Sequence, residues 1–148
     1  MNSTIELVFT IAGALLVILS AYGAATLNRR LFMSGYCFFS ILPIIGESMS
    51  YNADKAAQHF LVIFIFLIQF VLQIPDKSFY GRDNTVAVTL ATKIGIAVLI
   101  INIGGAIYVL CLKSGVPVQY GYYHIGFVLI SLYVIGRRFA SSTVSWAK

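Results

Sequence analysis

Five predominantly apolar stretches, each near the length of about 20 residues that carries a helix across a hydrocarbon core, follow one another with short polar breaks between them. They take up most of the 148 residues. In lipid a backbone must satisfy its own hydrogen bonds, and a helix does so within one segment. The expected fold is therefore an all-α integral membrane protein, a single transmembrane helical domain over residues 1–148 with a bundle of about five helices and short loops. Only 10% of the residues are Asp, Glu, Lys or Arg, against about 25% in soluble domains. What lies between the spans is too short for a Rossmann fold, a P-loop module or a nucleic-acid reader. No nucleic-acid partner is expected, and membrane orientation accounts for the net charge of +5.

The spans are expected at about 5–26, 31–49, 56–74, 94–112 and 118–136. The first ends at Asn28-Arg29-Arg30 and has Glu6 before its apolar core, the reverse of the charge order in a cleaved signal peptide. The second contains Gly35, Pro43, Gly46 and Glu47, so a kink, a tilt or a partly re-entrant path is expected there. The third is the apolar run Phe60 to Ile68 with its flanks. In the fourth, Lys93 interrupts a long apolar region. The span is therefore placed after it, with Thr85 to Thr92 at the interface and Lys93 snorkelling to the headgroups. The fifth follows Ser114-Gly115-Val116-Pro117 and opens on Tyr120, Tyr122 and Tyr123, aromatic residues suited to the headgroup level. Trp146, in the tail that follows, is suited to resting on the membrane surface.

Five spans place Arg29, Arg30, Lys77, Arg82, Lys93, Arg137, Arg138 and Lys148 on one side, and Lys55 and Lys113 on the other. Positive charge marks the cytoplasmic side, so the amino terminus is expected outside and the carboxyl terminus inside. The two cysteines, Cys37 and Cys111, fall at different depths and form no C-x-x-C or zinc-finger pattern. They read as small apolar fillers.

At helical spacing each span gathers its polar and small residues on one face. Gln69, Gln73 and Asn102 on these faces are expected to bridge helices, as amides do where lipid offers no hydrophobic contrast. Glu6, Glu47, His59 and His124 come from four different spans and fall in the same outer half of the membrane. Ionisable groups at such depth point to function, although Glu6 and His59, in first turns, are also read as interfacial groups near water. The four are the candidates for an ion, proton or ligand site. His59 and His124 are also the candidates for metal or haem ligation, and a lipid or quinone contact is a further expectation. Motifs for a nucleophile elbow, H-E-x-x-H or G-x-G-x-x-G are absent.

The functional expectation is a non-enzymatic accessory or structural subunit of a larger membrane complex, such as a respiratory, photosynthetic or other oxidoreductase assembly. Its partners would be lipids and other membrane subunits, in a plasma or energy-transducing membrane. The alternatives are a homo-oligomeric small transporter or channel using the outer Glu and His residues, and an electron carrier with haem or metal at His59 and His124.

Overall fold

Asn28 reverses the chain between the first two helices, and it does so with its side chain. The computed structural model describes residues 3–75, 85–112 and 115–140, with side chains for all of these except 85–91 and 138–140. Helix α1 spans Ser3–Ala25 and α2 spans Arg29–Asp54. Asn28 caps α2 by accepting a 3.2 Å bond from the backbone N–H of Leu31, while Leu27 takes a left-handed φ of 57°. The two helices then pack at close range. A Cβ on Gly23 would run into the backbone of Phe32, one on Gly35 would run into Ser20, and the Ser20 hydroxyl donates to the Phe32 carbonyl at 2.9 Å.

Helix α2 passes through Pro43 without ending and continues to Asp54. Pro43 has no N–H to donate, so the carbonyl of Phe39 lacks its usual partner one turn ahead. Lys55 closes the helix in the left-handed region, its N–H reaching the Tyr51 carbonyl. Helix α3, Gln58–Gln73, is the short one at 16 residues. Helix α4, Thr85–Cys111, is 27 residues long and runs unbroken past Lys93. The segment expected at the interface is thus the first part of the same helix. Helix α5 spans Val118–Ala140, after Pro117 and a left-handed Gly115.

The molecule is all-helical, and four helices are long and apolar enough to cross a membrane: α1, α2, α4 from Thr92 onward, and α5. Helices α1 and α2, α2 and α3, and α4 and α5 run antiparallel: Ser20 meets Gly35, Glu47 meets His59, and Asn102 meets His124. Helix α2 packs broadly on α1 and α3, α4 on α5, and α1 on α5, whereas α3 and α4 meet sparsely. The core joins Tyr36 and Phe39 of α2 to Val98 of α4 and Phe127 of α5. Within it the Tyr36 hydroxyl bonds the Phe127 carbonyl and the Ser131 hydroxyl, both at 2.6 Å. Leu7, Leu15 and Ile18 of α1, and Leu61, Phe64 and Val71 of α3, face outward.

Cys37 is buried, Cys111 is exposed, and both are free thiols. Asn2, residues 76–84 with Lys77 and Arg82, Lys113, and residues 141–148 with Trp146 and Lys148 lie outside the described residues, as does the side chain of Arg138.

Candidate functional site

Of the four candidate ionisable residues, the structure makes two centres and a rim rather than one cluster. Glu47 and Asp54 stand seven positions apart on α2, two turns on one face, and His59 enters between them from the first turn of α3. Its Nδ1 hydrogen-bonds Glu47 Oε2, and its Nε2 lies 3.0 Å from both Asp54 oxygens. Two carboxylates facing two ring nitrogens require a proton on Nε2 and another held between Nδ1 and Glu47. Glu47 and His59 therefore form a unit without net charge, whichever of them carries the shared proton. His59 is 7% exposed, enclosed by Glu47 and by an Asp54 that is itself open to solvent. Sequence reading missed Asp54, whose signal was its place one residue before the left-handed Lys55, on the same face as Glu47.

The second centre lies deeper. His124 is 4% exposed, and its Nδ1 stands 3.0 Å from Asn102 Oδ1. From there a relay of side chains crosses the bundle: Asn102 Nδ2 donates to Gln69 Oε1 at 3.0 Å, Gln69 Nε2 to the Ser40 hydroxyl at 2.9 Å, and that hydroxyl to the Tyr36 carbonyl at 2.9 Å. Asn102 Nδ2 also donates to the Val98 carbonyl at 2.8 Å. Backbone carbonyls can only accept, so the two at the ends fix every role between them. Asn102 must present its oxygen to His124, the imidazole must carry its proton on Nδ1, and Nε2 is left as a lone-pair acceptor. The relay also bridges α3 and α4 where the two helices otherwise meet sparsely.

Glycine shapes the histidine's seat. A Cβ on Gly105 would come within 2.7–2.8 Å of Cε1, Nε2 and Nδ1 of His124 together, so the ring lies flat over that glycine. Phe39 meets the ring edge-on at 5.2 Å and Phe66 stands 5.7 Å away.

Glu6 belongs to neither centre. Gln119 donates to its carboxylate at 3.3 Å and to the Thr10 hydroxyl at 3.4 Å, and Tyr123 donates to the Thr10 carbonyl, tying α1 to α5. Glu6, Glu47 and His124 do share the wall of one cavity of about 310 Å³, to which all five helices and the 115–117 turn contribute. His59 does not line it. Tyr120, also in the wall, keeps its buried hydroxyl beside Thr10 without reaching hydrogen-bond geometry. Gln73 is buried on α3 outside the relay.

Among the described residues no group of three or more His, Cys, Asp or Glu is placed to hold a metal ion. Haem ligation by both histidines would require His59 to give up a carboxylate. No family model, curated protein or solved structure matches the chain.

Proposed function

We propose that the chain is a small non-catalytic polytopic subunit, a single five-span domain that packs against other membrane proteins of a larger assembly in a plasma or energy-transducing membrane. The amino terminus lies outside and the carboxyl terminus is cytoplasmic, as the distribution of Lys and Arg favours. The observation that carries the reading is the deep relay that ties α2, α3, α4 and α5 together. Ser40, Gln69, Asn102 and His124 direct their bonds to one another and to two backbone carbonyls, which supports packing over conduction. The apolar outward faces of α1 and α3 suit lipid or a neighbouring subunit.

Extraction in mild detergent tests this. A subunit comes out in a particle much larger than its own 16.2 kDa, with different polypeptides present. A closed homo-oligomer that moves an ion in liposomes, with flux lost in Glu47→Gln, would establish the second reading instead. That reading, a small transporter with an ion or proton site, draws its support from the two carboxylates in the cavity wall. For orientation, an impermeant thiol reagent is expected to label a cysteine placed at Asp54 from outside, and a reporter fused after Lys148 is expected to read as cytoplasmic.

A further inference from the structure

The cavity has a chemical bias of its own. Its volume of about 310 Å³ sits at the lower end of the range for small-molecule sites, about 300–1,000 Å³. Most of the wall is apolar, with Phe9, Phe39, Leu42 and Phe66 among its residues. Into this cavity come the carboxylates of Glu6 and Glu47, and among the described residues no Lys or Arg lines it. The Glu47–His59 unit is neutral, as derived above. Glu6 contacts the amide of Gln119, and among the described residues no cation pairs with it.

An independent observation comes from α5. His124 is 96% buried, since 4% of its surface is exposed, and lines the cavity. With Nδ1 committed to Asn102, Nε2 is a lone pair without a partner among the described residues. Gln119, which holds Glu6, precedes His124 by five residues, or about 7.5 Å along α5 at 1.5 Å per residue. One end of the cavity thus offers an anion and the other a neutral acceptor, with aromatic faces between them.

We propose that the cavity binds an arylalkylammonium ion carrying a second hydrogen-bond donor: the ammonium at Glu6, the ring among Phe9, Phe39 and Phe66, and the remote donor on His124 Nε2. Aromatic faces attract organic cations through their quadrupoles, and a carboxylate in a low-dielectric site favours a cationic partner. This goes beyond the subunit reading and stands or falls separately from it.

The test is calorimetric titration of the full chain in detergent with phenethylammonium and tyramine, against 2-phenylethanol, 3-phenylpropanoate and sodium chloride. Saturable binding of the two ammonium ions, with no binding of the neutral and anionic isosteres, is the expected result. Tyramine is expected to bind several-fold to about tenfold more tightly, the range of one net hydrogen bond. Glu6→Gln is expected to weaken both ammonium ions at least about tenfold, as for one lost charge-assisted contact. Gly46→Leu is the steric control. A Cβ there meets nothing closer than Phe9 at 3.9 Å, so the longer side chain fills the cavity without disturbing the backbone and is expected to abolish binding in a folded protein. Equal binding of 2-phenylethanol, a sodium effect as large as that of the amines, or unchanged binding in Gly46→Leu overturns the site. Equal affinity for phenethylammonium and tyramine overturns the role of Nε2.

Discussion

The chain's two histidines look interchangeable in sequence, each on the polar face of an apolar helix, yet they sit in opposite kinds of surroundings. His59 is held by carboxylates at the end of the bundle, where Asp54 opens to solvent. His124 is held by an amide deep among aromatic rings. The first arrangement sets a carboxylate against each ring nitrogen. The second fixes a tautomer, because backbone carbonyls dictate the direction of each bond in the relay. Burial alone does not separate the two, since both residues are less than 10% exposed; the chemistry of the partner does.

That contrast can be broken most severely at Gly105. Gly105→Leu is expected to push His124 off its seat and cost about 3 kcal/mol, the upper end for an overpacked core, read as a large fall in the thermal midpoint in detergent. A midpoint within error of wild type would show that the ring moves freely. Next comes Asn102→Leu, which strands His124 Nδ1–H and Gln69 Oε1 together and is expected to cost about 2–3 kcal/mol for orphaned buried groups. His59→Gln ranks third, at about 1–2 kcal/mol, because solvent near Asp54 compensates part of the loss. Should it exceed Asn102→Leu in the same unfolding assay, the deep relay is not the stronger of the two centres. Gln69→Leu is the smallest, about 1 kcal/mol, since the amide of Asn102 keeps its bond to Val98 and Ser40 keeps its own to Tyr36. Nitrogen NMR of labelled histidine sharpens the same contrast without unfolding the protein: His124 is expected to show one protonated and one bare nitrogen.

Helical spacing put His59, Phe66, Gln69 and Gln73 on one face of α3, and these are the residues that α3 buries. Periodicity carries that much because a helix fixes the angle of each residue about its axis. It does not carry the angle between helices. Glu6, Glu47 and His124 reach the wall of one cavity, a grouping that their positions along the spans suggest. That His59 turns toward Asp54 while His124 turns toward Asn102 depends on how α2 meets α3 and α4 meets α5, which no single span encodes. Lys93 makes a related point: a charge interrupts hydropathy, but a long exposed side chain does not interrupt a helix, and α4 continues through it.

The shortness of α3 has a consequence for the surrounding bilayer. Its 16 residues make about 24 Å of helix at 1.5 Å per residue, against a hydrocarbon thickness of about 30 Å. Helix α2 beside it has 26 residues, or about 39 Å by the same rise. A five-span arrangement would thus present a thin edge along α3 and a thick one elsewhere. Lipids on the α3 side would have to compress, at a cost of fractions of a kcal/mol per Å, and shorter acyl chains would collect along that edge.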